Sequence, residues 1–201
     1  SEVWRGMIRP PSLFLLLPLV MTGAHAGFYS GIAPLIANDH AGWSNAETSS
    51  RMAFGSLMAG LLAALVFGWL AARIGPRRLA LIGFAAVLAL GLAMVASQSA
   101  WAQGTPILAF VTVSDSLNYM LAVTLGAISM RQCRLSVAAT QFGLYMAVSN
   151  LGRTLASALL GPLDRLGGAE AVLFGLAATG AIGLAILLSA RCLDASDQAA
   201  G

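Results

Sequence analysis

Six long apolar stretches, parted by short connections with most of the arginines on alternate ones, decide what this chain can become. They run at about 11–37, 47–72, 79–97, 105–130, 137–160 and 169–190. Each meets or nearly meets the ~20 residues that a helix, rising 1.5 Å per residue, needs to cross ~30 Å of hydrocarbon. A soluble core could not hide six such segments and keep a wettable surface. Only 9% of the 201 residues are charged, against roughly 25% in globular proteins. The sequence predicts an all-α, polytopic membrane protein of six transmembrane helices, with a linker over 1–10 and a tail over 191–201. Its first partner is the lipid bilayer.

The basic residues orient it. All eleven are arginines. Arg5 and Arg9 precede the first stretch, while Arg73, Arg77 and Arg78 separate the second from the third. Arg131 and Arg134 separate the fourth from the fifth, and Arg191 follows the sixth. The alternate connections hold only Arg51 and Arg165. Basic residues gather in cytoplasmic loops, which places both termini in the cytoplasm. The net charge of +3 therefore records orientation; no base-stacking residues interleave it, which excludes nucleic acid as a partner. Cys133 and Cys192 fall on the cytoplasmic side, where structural disulfides are rare. No spacing calls for a metal or another cofactor. Arg5, Arg9, the run Leu13–Val20 and Ala24-His25-Ala26 imitate a signal peptide. Apolar character continues to Ala37, which favours a full span.

The boundaries carry their own chemistry. Ser44-Asn45-Ala46-Glu47 has the form of a capping box, with Arg51 four residues beyond Glu47. Thr105-Pro106 places a capping residue before a proline. Gly75-Pro76 and Gly167-Gly168 stop helices.

Polar groups in hydrocarbon are costly, roughly 2.5–3.5 kcal/mol for a central charge on insertion scales, so their positions point to function. The third and sixth stretches have almost none and can face lipid. The fourth carries Thr112, Asp115, Asn118 and Tyr119 at helical spacing, followed by Ala122 and Gly126. The fifth carries Gln141, Tyr145, Ser149 and Arg153, with Asn150 beside them, and the first carries Thr22, His25 and Tyr29. These stripes are expected to meet around one hydrated cavity. Asp115, Arg153 and His25 sit at one depth, roughly 12–14 Å from the outer helix ends at the helical rise. The sequence thus predicts an Asp115–Arg153 pair, functional or structural, and a His25 able to titrate or simply to donate to a backbone carbonyl. Gly23, Gly27 and Gly31 form a ladder for close helix contact, and Pro18 and Pro34 predict a bent or partly unwound first helix. An enzyme is disfavoured, because Asp115 is the single mid-membrane carboxylate and stands without a second catalytic group or metal cluster.

Two turns resemble each other: Gly68-Trp69-Leu70-Ala71-Ala72-Arg73-Ile74-Gly75 and Gly161-Pro162-Leu163-Asp164-Arg165-Leu166-Gly167. On opposite membrane faces they would mark two inverted three-helix repeats. The first, extended to Arg77 and Arg78, resembles the loop signature of the major facilitator superfamily, with Ala72 where an Asp is usual. Gly68, Arg73, Gly75, Arg77 and Arg78 would then form its conformational loop. Met130-Arg131-Gln132-Cys133, Ala139-Thr140-Gln141-Phe142 and Asn150-Leu151-Gly152-Arg153 resemble the AmpG-like permeases, with Gly143 where Ala is usual. That group imports anhydro-muropeptides and siderophores. The resemblance implies the second six helices of a proton-coupled transporter in a bacterial inner membrane, partnered by an N-terminal six-helix half. Asp115, Arg153 and His25 would couple or gate protons, and Tyr29, Asn118, Tyr119, Tyr145 and Ser149 would contact a bulky polar solute. The alternative is a free-standing six-helix scaffold that transports nothing alone.

Overall fold

A computed structural model describes residues 10–133 and 135–189, and every regular element there is helical. Residues 1–9 with Arg5 and Arg9, Arg134, and residues 190–201 with Arg191 and Cys192 lie outside the described residues. Helix α1 spans Pro10–Ala41. Helix α2 spans Asn45–Ile74, with a π-helical turn at Ala63–Phe67. Helix α3 is Pro76–Ala96, α4 is Thr105–Gln132 and α5 is Ala138–Ser189. All five are long and apolar enough to cross a membrane.

Local chemistry sets the boundaries. At the start of α2 the Glu47 N–H donates to Ser44 Oγ at 3.3 Å, and the Ser44 N–H donates to Glu47 Oε2 at 3.0 Å. Two helix-end donors are thereby satisfied at once. The turn into α3 is made by Gly75 at φ 86, a conformation other residues rarely adopt. The expected cap at Thr105 is replaced by Gly104, with Thr105 the first helical residue. A 3₁₀ segment, Gln98–Gln103, enters that turn and needs φ 73 at Gly104. A Cβ there would also lie 2.6 Å from the Trp43 ring. Helix α1 runs unbroken through Pro18 and Pro34, so the partly unwound segment is not found.

Helix α5 is two arms. Gly167 (φ −161, ψ 23) and Gly168 (φ 63, ψ −157) leave helical geometry between residues 138–166 and 169–189. A Cβ on Gly175 would lie 3.2 Å from Leu163 Cδ1, whereas residues twelve apart on a straight helix stand about 18 Å apart. The second arm therefore folds back along the first.

Close packing rests on small residues. A Cβ on Gly23 would strike the Ser149 carbonyl, and one on Gly27 would lie 2.6 Å from the Arg153 carbonyl. Glycine lets backbones approach this closely. Contacts from Gly23 to Ser149, Gly27 to Ala156 and Gly31 to Leu160 advance together along both chains, so α1 and the first arm run parallel. Gly55 against Thr112 and Gly60 against Tyr119 make α2 and α4 parallel in the same way. Helix α3 packs on α4 through Gly83 and on the second arm through Gly91, Gly180 and Gly183. Phe84, Leu121, Leu125, Leu173 and Leu176 fill the space between and are completely buried. Leu57, Leu61 and Leu65 on α2, with Leu151, Leu155 and Leu159 on the first arm, stay exposed.

Candidate functional site

The mid-helix polar residues meet where α1 passes between α4 and the first arm of α5. The structure brings His25, Asp115 and Arg153 to one level, since His25 bonds to Ser114 and the flanking Gly23 and Gly27 abut Arg153. It does not bring the two charges together. Among the described residues, the Asp115 carboxylate accepts from the Tyr29 hydroxyl on one oxygen and from the Ser56 hydroxyl on the other. This corrects the expected Asp115–Arg153 pair. Asp115 points from α4 toward α1 and α2, and two hydroxyl donors satisfy its charge where a guanidinium was expected.

The polar face of α4 is accordingly split. Thr112, Asp115 and Tyr119 turn to α2, where Gly55, Ser56 and Gly60 leave room for them. A pocket of ≈180 Å³ lies there, lined by Tyr29, Ser30, Met52, Ser56 and Asp115. Asn118 and Ala122 turn to the other side, into a cleft of ≈190 Å³ shared with Thr22, Ser149, Asn150 and Arg153. Sequence spacing placed all of these on one α4 face. A face about 100° wide nevertheless spans two neighbours once helices pack on both sides of it.

His25 is fully buried. Its Nε2–H donates to the Ser114 carbonyl at 3.3 Å, and because a carbonyl only accepts, the proton must sit on Nε2. Nδ1 has no hydrogen-bond partner among the described residues. The ring lies 5.4 Å from that of Tyr29. His25 thus ties α1 to α4 and adjoins the Tyr29–Asp115 contact without lining either pocket.

Other residues singled out from sequence fall elsewhere. Tyr145 is completely buried and accepts a hydrogen bond from Gln141 Nε2 at 3.1 Å, outside the cleft lining. Tyr119 is 39% exposed beside Gly60, also outside it. Tyr29 faces the Asp115 pocket. Ser56 was missed altogether. Only the small-residue run around Gly55, Ala59 and Gly60 hinted that α2 could approach α4.

At the arginine-bearing end, the α2–α3 turn is held to the fold. Arg77 Nη2 donates to the Leu187 carbonyl near the end of the second arm at 2.8 Å. That gives a helix C-terminus both a donor and a positive charge. Arg73 stacks over Trp69 at 4.5 Å, while Gly68 and Arg78 are exposed. The second, repeat-like turn takes its positive φ at Gly168, within the expected Gly167-Gly168 stop.

The family model described as Major Facilitator Superfamily matches residues 1–157. No curated protein and no solved structure matches the chain. The matched residues hold the α1–α4 helices, the residues lining both pockets and the arginine-bearing turn between α2 and α3. The chain belongs to the major facilitator superfamily, whose members are membrane transporters and not enzymes.

Proposed function

We propose that this chain is a six-crossing half of a proton-coupled secondary transporter in a bacterial inner membrane, importing a bulky polar solute. Both termini lie in the cytoplasm, and a companion N-terminal six-helix half faces the exposed leucines of α2 and the first arm. The two arms of α5 count as separate crossings because the chain folds back at Gly167–Gly168. Exchanging first with fourth, second with fifth and third with sixth crossing maps the contacts onto themselves. The parallel pair of α1 with the first arm becomes the parallel pair of α4 with α2. That regularity supports two inverted repeats, with the binding site at their interface near mid-membrane.

The observation that carries the coupling role is the buried Asp115 carboxylate, 5% exposed and, among the described residues, held by hydroxyls alone. A proton is the simplest way to remove its charge without moving a cation beside it. Protonation would release Tyr29 or Ser56 and loosen α4 from α1 or α2, a differential contact of the kind that biases a rocking equilibrium. Arg153, in the cleft on the other side of α1, would meet the solute. The AmpG-like segments suggest muropeptides or siderophores as that solute.

The test is uptake of labelled anhydro-muropeptide and siderophore by proteoliposomes containing the full transporter under an imposed pH gradient. Asp115→Asn is expected to abolish gradient-driven accumulation while sparing solute exchange. Gradient-driven accumulation unchanged in Asp115→Asn would remove the carboxylate from the coupling.

A further inference from the structure

We infer that the Arg153 cleft selects solutes carrying an anionic group, a carboxylate or a phosphate; this rests on the transport reading above and specifies what the cleft would hold. The split of the two charges is what makes the assignment. Had Asp115 met Arg153, the cleft would be neutral and its guanidinium occupied. Instead Asp115 lies in a separate pocket, its two oxygens taken by Tyr29 and Ser56.

The remaining lining is rich in donors and lacks any acid. Neither Asp nor Glu lines the cleft, and its charged residue is Arg153. Asn118, Ser149 and Arg153 make no side-chain hydrogen bond or ion pair with another described residue, and Asn150 contributes only its backbone carbonyl, to Thr154. Thr22 differs, because its hydroxyl proton is committed to the Pro18 carbonyl at 3.0 Å. The cleft therefore presents a planar guanidinium fork, two carboxamide donors and one hydroxyl around ≈190 Å³. A guanidinium fork matches the two oxygens of a carboxylate or phosphate. With no acid in the lining, the guanidinium's charge stays open to a solute, and an incoming anion supplies the counter-charge. A neutral solute could use the amides but would leave the guanidinium uncompensated.

The position is built by packing. Glycine at 23 and 27 brings the α1 backbone against Ser149 and Arg153, so the first arm presents those residues at the cleft wall. Arg153 itself remains exposed, open to solute.

The experiment uses the full transporter in proteoliposomes, an anhydro-muropeptide cut back to a single alanine so that its C-terminal carboxylate is its one ionised group, its C-terminal carboxamide, and that carboxamide phosphorylated on the sugar. Competition for uptake and binding to purified protein are both read. The wild type is expected to favour each anionic compound over the neutral carboxamide by about tenfold or more, the scale of one charge-assisted contact. Arg153→Gln should bring the binding of all three within about twofold, and thermal unfolding of the purified variant shows that it folds. Arg153→Lys should retain part of the preference. Equal competition by acid and carboxamide in the wild type, with uptake intact, overturns the anion assignment and leaves transport standing. Absence of uptake with the acid still bound through Arg153 overturns transport and supports the anion assignment.

Discussion

Gly27→Ala puts one methyl group where the fold has no room. The added Cβ would stand 2.6 Å from the Arg153 carbonyl oxygen and 2.8 Å from the Ala156 Cβ, against the 3.4 Å at which ordinary contact begins. The first of these is backbone, so no side chain can swing aside. Helix α1 and the first arm must part by several tenths of an ångström, along the seam that also seats Gly23, Gly31 and Gly152. Overpacking of this kind costs about 1–3 kcal/mol, offset by about 0.5–1 kcal/mol of helix propensity gained on replacing glycine. The control is Gly143→Ala, on the same arm, where a Cβ would meet nothing within 4 Å. There the propensity gain acts alone. The two variants should therefore move the apparent melting temperature of the purified protein in opposite directions, Gly27→Ala downward by several degrees and Gly143→Ala slightly upward. Because Arg153 sits on the seam, Gly27→Ala should also weaken solute binding. A Gly27→Ala protein as stable as Gly143→Ala would refute the close-approach account of the α1–α5 interface.

Two further outcomes follow from single contacts. Tyr29→Phe removes one donor from the buried Asp115 carboxylate and should lower stability by about 1.5–3 kcal/mol, with Ser56→Ala close behind; thermal unfolding equal to wild type in both would mean that the hydroxyls do not hold the carboxylate. Arg77→Ala removes the guanidinium that reaches the Leu187 carbonyl and should cost about 1 kcal/mol or more, with Arg77→Lys losing less because its charge stays at the helix end. A melting temperature unchanged in Arg77→Ala would dismiss that tie between the α2–α3 turn and the last helix.

Much of the helical plan could be read from the chain because it depends on local rules. Apolar length, Ser44-Asn45-Ala46-Glu47 as a cap and Gly75-Pro76 as a stop each act within a few residues. The level of His25, Asp115 and Arg153 was also legible, since helical rise alone sets depth. Which neighbour each residue faces was not. Asp115 and Arg153 read as a pair because both were mid-membrane charges, yet rotating α4 toward α2 delivers Asp115 to Ser56. That rotation is fixed by small residues on a different helix, Gly55 and Gly60, and no periodicity within α4 records it. Tyr145 failed for a related reason. Its stripe-mate Gln141 offered a partner four residues away on the same helix, so the tyrosine satisfies its hydroxyl locally instead of entering the cleft. At Gly104 the decisive neighbour was Trp43, sixty-one positions earlier.

The six-crossing fold requires the chain to reverse at Gly167–Gly168, with the arginine-rich turns after α2 and α4 inside the cell. Accessibility of single cysteines tests it directly, using Arg78→Cys and Leu166→Cys in a background carrying Cys133→Ser and Cys192→Ser. Both positions are exposed. In intact cells a membrane-impermeant thiol reagent should reach Leu166→Cys from outside, and Arg78→Cys only after the membrane is opened. Labelling of both from the same side, or a Leu166→Cys that no reagent reaches from either side, would contradict the six-crossing transporter half.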